Sequence, residues 1–247
     1  MTKNFPSRNQ KFKFSINYRY SKINVSTDIP NTEPMIREIL NSCYVSLEKV
    51  ITLYPEWKKS FDPIISGIKD PLILRMEEAA KHANVGPMAA IAGAIADLIA
   101  EFLIKKGAKH VVVEDGGEIA IQTGFDTEIA LLSITSTIRD KLGFHIRGDN
   151  QYLGIASSSG TFGHSISLGE ADLVTIIAKN AAFADAAATA IANEAIGTTD
   201  DEAIQRSIHI FKELDSKAFY GVLINKNEKC GIFGKIPTIV KIKNSES

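Results

Sequence analysis

A chain of 247 residues, 45% apolar and 23% charged, is long enough to bury a sizeable core and is expected to fold as one globular unit over residues 1–247. Its formal net charge of −1 gives no general pull toward nucleic acid or an anionic membrane, so neither is expected as a partner. The two cysteines, Cys43 and Cys230, form no CxxC pattern, which argues against a disulfide framework or zinc site and for a reducing, cytoplasmic setting.

The opening residues MTKNFPSRNQ are polar and lack an apolar stretch, so no signal peptide is expected. The one basic cluster, Lys11 and Lys13, is read as a solvated tail. Residues 12–20 then alternate, with Phe12, Phe14, Ile16, Tyr18 and Tyr20 on one face and Lys13, Ser15, Asn17 and Arg19 on the other, as in a strand with one wet face. Ile23 and Val25 extend the pattern into a hairpin. Thr32 and Pro34 open a helix whose buried stripe is Ile36, Leu40, Cys43, Leu47, Val50 and Tyr54, and Pro55 closes it. The segment EWKKSFDPIISG is read as a turn-rich linker. A helix is expected over 71–84, and another from Pro87 to just before Gly107. The apolar run in that second helix, PMAAIAGAIADLIAEFLI, carries Asp97 and Glu101 and is rich in alanine, so it is read as a buried helix and not a membrane span.

HVVVED and EIAIQ are expected as strands joined at GG, followed by a strand in EIALLSIT. YLGIA and LVTIIA are strands that bracket a serine-glycine loop. Helices are expected over 180–195 and 200–214, and the end of the chain as a hairpin of FYGVLIN and GIFGKIPTIVKIK through KNEK. Strands and helices mix without strict alternation, which argues for an α+β or mixed-sheet α/β fold.

The loop SSSGTFGHS offers the hydroxyls of Ser157, Ser158, Ser159, Thr161 and Ser165, with Gly160 and Gly163 admitting close backbone approach. Such loops can cradle phosphates, although the bland reading is a polar turn between strands. It is not a Walker A motif, because no Lys-Ser or Lys-Thr follows the glycines. His164 stands in this loop, and an ordinary imidazole there would suit proton transfer near neutrality. His82, His110, His145 and His209 have no comparable context and are read as structural or surface residues. Asp185 and Thr189 are four apart in an alanine-rich helix, hence on one face, and form a hard-oxygen pair of the kind Mg²⁺ prefers. The bland alternative, a local helix cap by Asp185, is disfavoured because Asp185 stands several residues inside the helix. Gly116 and Gly117, flanked by Glu114, Asp115 and Glu118, form a hairpin turn, or the carboxylates instead hold polar atoms of a ribose or flavin.

In chain order these pieces resemble the ApbE-type FAD:protein FMN transferases. GPMAAIAGAIAD stands for the family's glycine-rich helix ending in Asp, EDGGEIAI for its GGD turn, ASSSGT for its TSG loop, His164 for its histidine and FADAAATAIAN for its ADALATA helix. The resemblance covers roughly residues 86–193 and is closest to an uncharacterised branch of that superfamily. It implies the mixed α/β fold of those transferases, with mixed sheets and packed helices. It also implies FAD across the glycine loops, contacted by Gly116, Gly117, Glu118, Ser158, Ser159, Gly160 and Thr161. Asp185 and Thr189 match Mg²⁺ ligands, with a backbone carbonyl near Ala89 as a third. His164 matches the loop histidine. The implied reaction is attack of a client protein's hydroxyl on the FMN phosphorus with loss of AMP. The sequence departs from the pattern in having Ala92 where the family has lysine, SISLGEAD in place of a DPRTG-type loop, and Glu118 in place of the GGD aspartate. Three roles are therefore weighed: a Mg²⁺-dependent flavin transferase or pyrophosphate-cleaving enzyme, a flavin- or nucleotide-binding module without turnover, and a structural protein assembling as a homo-oligomer.

Overall fold

The computed structural model describes residues 11–130, 142–158 and 171–241. The first strands, β1 (Phe12–Tyr18) and β2 (Ser21–Thr27), form the expected hairpin with Ile16 opposite Ile23. α1 (Glu33–Leu53) buries Ile36, Leu40, Cys43, Leu47 and Val50 as its periodicity requires, and adds Tyr44. α3 (Pro71–Ala83) is capped by the Asp70 carboxylate, which accepts the N–H groups of Leu72 and Ile73, and it ends at Asn84 in the left-handed region. Between them lies α2 (Pro55–Lys59), which the linker reading missed. Its Trp57 is fully buried, and the indole N–H donates to Glu77 Oε1 at 3.0 Å. Glu77 also accepts the Ser66 N–H and hydroxyl, so this turn-rich segment is pinned to α3 by one carboxylate.

A 3-10 turn (Pro87–Ala90) leads into α4 (Ile91–Lys105). Together they are long and apolar enough to cross a membrane by length and composition. Here they form a core helix: Ala94, Ala96, Ile99, Ala100 and Leu103 are buried, and α4 packs on the sheet and on α5 (Ala181–Glu194). α6 (Asp200–Glu213) completes the helical side, with the Thr199 hydroxyl accepting the Glu202 N–H at its start.

The remaining strands are β3 (His110–Asp115), β4 (Glu118–Thr123), β5 (Thr127–Ala130), β6 (Leu142–Ile146), β7 (Leu153–Ser158), β8 (Leu173–Ala178), β9 (Phe219–Lys226), β10 (Lys229–Gly234) and β11 (Thr238–Lys241). One sheet has eight strands in the order β1-β2-β3-β4-β7-β8-β9-β10, and a second has three, in the order β11-β6-β5. Every described pairing is antiparallel, so the mixed α/β class holds while the strand directions are not mixed. The large sheet is covered on both faces. Val111, Val113, Ala120, Ala156, Val174 and Ile176 meet the helices, while Ile119, Ile121, Ile155, Ile177 and Leu223 meet Ile129, Phe144 and Ile146 of the small sheet. Burial on both faces accounts for the nearly unbroken apolar run LVTIIA in β8.

The expected long C-terminal strand is two strands in two sheets. At Gly234 the backbone enters positive φ (+77°), and a Cβ there would sit 2.3 Å from the Tyr220 carbonyl oxygen. Only glycine permits that turn, after which β11 pairs with β6.

Candidate functional site

The alanine-rich stretch of α5 serves close packing. α4 and α5 cross at their first turns, where a Cβ on Gly93 would lie 2.3 Å from the Ala181 carbonyl oxygen. The same turn of α5 rests on β7: a Cβ on Gly154 would lie 1.9 Å from the Asn180 carbonyl carbon. Two helix N-termini, each with unsatisfied N–H groups and a positive dipole end, are thus brought together inside the protein. Each helix supplies the carboxylate that caps the other. Asp97 of α4 accepts the Ala181 N–H on Oδ1 and the Ala182 N–H on Oδ2, both at 2.9 Å, while Asn180 caps Phe183 locally. Asp185 of α5 accepts the Gly93 N–H on Oδ2 at 3.0 Å. Asp185 is therefore a cap, as the bland reading held, but of the neighbouring helix and not of its own.

Asp97 is fully buried and also receives the Tyr152 hydroxyl at 2.7 Å; the Arg75 guanidinium stands 3.5 Å away and makes a 2.7 Å ion pair with Glu101. Burial pushes the Asp97 pKa up, opposed by Arg75, the two amides and Tyr152. Burial works against the Arg75 charge as well, but Asp97 and Glu101 outweigh it and its pKa rises.

Asp185 faces the β3–β4 turn. Gly116 and Gly117 make this turn at φ +71° and +119°, and Asp115 and Glu118 pair across it. Alternation along β3 and β4 puts both carboxylates on the helix side of the sheet. Asp115 accepts the Ser21 hydroxyl at 2.8 Å and the Lys22 N–H at 3.2 Å, and Tyr44 bonds to Ser21 behind it. Burial holds Glu118 well above the usual carboxylate range, reinforced by the charges of Asp185 and Asp115. Burial also raises Asp185, against the pull of the Gly93 N–H, with Asp115 adding to the rise. Among the described residues no basic side chain forms an ion pair with any of these three carboxylates. Thr189 lies one helical turn beyond Asp185 and is half-buried.

On the opposite face of the same turn, Gly117 and Ser157 line one cavity of about 290 Å³ between the large sheet and β5. The β4–β7 pairing, with Ile119 opposite Ile155, brings the end of β7 to the level of the two-glycine turn. The entry to the serine-glycine loop thus converges on that turn. Ser158 ends β7 and is half-buried. Ser159, Gly160, Thr161 and His164 lie outside the described residues. Lys11 and Lys13 line the cavity, which corrects their reading as a solvated tail. His110 is buried and bonds Thr123 through Nδ1 and Ser26 through Nε2. Sequence reasoning assigned no role to Arg75 and Tyr152, took Asp97 only as the last residue of the glycine-rich helix motif, and took Asp115 only as one of the turn carboxylates. The available signal was Asp97, a lone carboxylate deep in an alanine-rich helix, which must be satisfied by something.

A family model described as AbpE bacteria matches residues 4–216. The chain belongs to this family. Similar full-length relatives of this AbpE bacteria chain are UPF0280 proteins of Methanococcus vannielii and Methanocaldococcus jannaschii. The first is 34% identical over 240 residues, covering 96% of each chain. The second is 36% identical over 233 residues, covering 93% of each. Among solved structures, a mutant of the flavin transferase ApbE from Vibrio cholerae aligns over 92% of this chain and 97% of its own, with TM-score 0.59 and 13% identity. An ApbE protein from Thermotoga maritima aligns over 87% of this chain and 94% of its own, with TM-score 0.52 and 14% identity. The fold expected from the resemblance is the fold of this AbpE bacteria chain.

The donor set can be judged against the Mg²⁺ that the resemblance implies. Asp185 and Thr189 are hard-oxygen donors, and the Asp185 charge lies close enough to raise the Glu118 carboxyl. Among the described residues no three His, Cys, Asp or Glu side chains gather as a metal centre. These residues fit an Mg²⁺ ion as a half-site, whose remaining positions fall to water and to the oxygens of a phosphorylated ligand.

Proposed function

We propose that this protein binds FAD or a related phosphorylated ligand across the Gly116–Gly117 turn and acts, with Mg²⁺, at its pyrophosphate. The observation that carries this reading is the approach of Asp185, half-buried at the α4–α5 crossing, to the carboxylates of the β3–β4 turn, buried Asp115 and half-buried Glu118, whose charges raise one another with no ion-paired basic partner among the described residues. Such a set is costly to bury alone and is relieved by a cation. Asp185 and Thr189 hold the ion, whose chemistry when bound is to neutralise pyrophosphate charge. Gly93 orients Asp185 through its amide, and Asp97 keeps the first turn of α5 in place. Gly117, just before β4, and Ser158, at the end of β7, approach the ligand, and Ser159, Gly160 and Thr161 are proposed as further contacts to it.

In the transfer reaction a hydroxyl of a client protein gives its proton to His164. Its oxygen bonds to the FMN phosphorus, and the bond from that phosphorus to the AMP oxygen breaks. The test is incubation of the purified protein with FAD and Mg²⁺, followed by chromatography for AMP. Release of AMP that stops in Asp185→Ala supports the reading; Mg²⁺-dependent FAD binding unchanged in Asp185→Ala overturns it. Ala92, standing where the resemblance calls for lysine, favours a second reading, binding without turnover. Its signature is Mg²⁺-dependent retention of FAD with no AMP.

A further inference from the structure

Lys11 and Lys13 stand at the start of β1, on the face opposite Phe12, Phe14 and Ile16, and both line the cavity between the two sheets. Among the described residues neither has a carboxylate within ion-pair distance; the Lys11 ammonium instead lies 4.6 Å from the centre of the Phe125 ring. Lysines without a counter-charge at a cavity wall are placed to meet an anion that arrives with a ligand.

The rest of the lining agrees. Burial and the neighbouring Lys13 charge lower the Lys11 pKa, so no nearby acid relieves it. Burial first, then Lys11 and, against the pull of Asp28, Lys13 bring His110 down to about 4, which leaves the imidazole neutral and both ring nitrogens engaged. The cavity does contain Glu114 and Glu128. Glu114 accepts the Asn24 amide at 2.9 Å, and Glu128 lies on the exposed side of β5. The remaining surface is aliphatic, from Val112, Ile119, Ile129 and Ile155. A gap between two packed sheets, floored by flat aliphatic rows, suits a planar body better than a branched one.

The geometry points to a binding site for a planar ring compound carrying an oxyanion, a phosphate or a carboxylate. Lys11 and Lys13 take the charge and the aliphatic floor takes the ring. This site shares Gly117 with the proposed pyrophosphate site but lies on the opposite face of the sheet from Asp185 and needs no divalent cation, so lysine variants test it separately from the pyrophosphate chemistry.

The experiment is a set of fluorescence titrations on the full chain in EDTA at low salt. FMN is compared with riboflavin, and pterin-6-carboxylate with pterin; within each pair only one member carries the anion. The charged member of at least one pair binds about tenfold more tightly, as a charge-assisted contact requires. That preference disappears in Lys11→Gln/Lys13→Gln, which keeps most of each side-chain stem, and shrinks in Lys13→Gln alone, an exposed position. A preference in the flavin pair alone identifies phosphate as the anion, and in the pterin pair alone carboxylate. Equal affinities within both pairs, no binding at millimolar probe, or a preference that survives both lysine variants overturns the inference.

Discussion

Replacing Gly93 by alanine sets two effects of opposite sign against each other. Gly93 is inside α4, and alanine in a helix interior is favoured over glycine by about 1 kcal/mol. The structure predicts the reverse result. The new Cβ would stand 2.3 Å from the Ala181 oxygen, 2.5 Å from its carbonyl carbon and 2.7 Å from the Ala182 nitrogen. All three are backbone atoms, so no rotamer change relieves the overlap. α5 must withdraw by about 1 Å to restore ordinary contact. Overpacking of this kind costs roughly 1–3 kcal/mol. The withdrawal also stretches the caps from Asp97 to Ala181 and Ala182 and from Asp185 to Gly93, where each lost cap costs about 1 kcal/mol. Net of the gain in propensity, Gly93→Ala loses roughly 2–4 kcal/mol, or about 5–15 °C in Tm for a chain of this size. Thermal unfolding followed by circular dichroism and by the fluorescence of Trp57, the single tryptophan, reads the change. A variant as stable as the parent, or more stable, would refute the close crossing of α4 and α5.

Asp97→Ala leaves Arg75 with Glu101 as its one acidic partner and orphans the Ala181 and Ala182 N–H groups and the Tyr152 hydroxyl, and costs about 3–5 kcal/mol in urea unfolding; a loss under about 1 kcal/mol contradicts the reciprocal capping. His110 has a folded-state pKa of about 4, below its unfolded value, so folding favours the neutral ring. Its contribution is fully present above about pH 6.5 and is lost as the pH falls toward 4, by roughly 2–3 kcal/mol. His110→Gln lacks that component, and an identical acid dependence of urea stability in parent and variant would rule it out. Cys230 is exposed and reacts promptly with a thiol reagent at pH 8, whereas Cys43, buried and pushed up to about 12, reacts only on unfolding. Two thiols titrating together in the folded protein would show that α1 is not packed as described.

The elements most legible in the sequence were those whose pattern is set by one buried face. β1 and β2 alternate because one side meets the helices, and α1 shows a single stripe because that stripe meets β1, α3 and α4. Trp57 was illegible because its segment is too short for periodicity and is held by Glu77, twenty residues further on. The split of the C-terminal strand depends on contact between Gly234 and Tyr220, which no local pattern carries. At the site, the Asp185–Thr189 spacing was visible, but its meaning depends on the crossing with α4. The alanines of α5 reported close approach without saying to what, and the answer lies at Gly93 and Gly154. Asp97 was noticed as an interruption in an apolar run and as the end of the glycine-rich helix motif, but not as a cap, since its partners Ala181, Ala182, Tyr152 and Arg75 come from three other parts of the chain. Lys11 and Lys13 were misjudged because the small sheet that makes the cavity comes from residues over a hundred positions away.

The central claim is that Asp185 and Thr189, beside the carboxylates of the β3–β4 turn, form a cation-assisted pyrophosphate site. The most direct measurement is FAD binding by isothermal titration with and without Mg²⁺, in the parent and in Asp185→Ala of verified fold. The account predicts tight binding only with Mg²⁺ in the parent, and loss of the Mg²⁺ effect in the variant. FAD binding that is indifferent to Mg²⁺ in the parent, or equally enhanced by it in Asp185→Ala, would contradict the account.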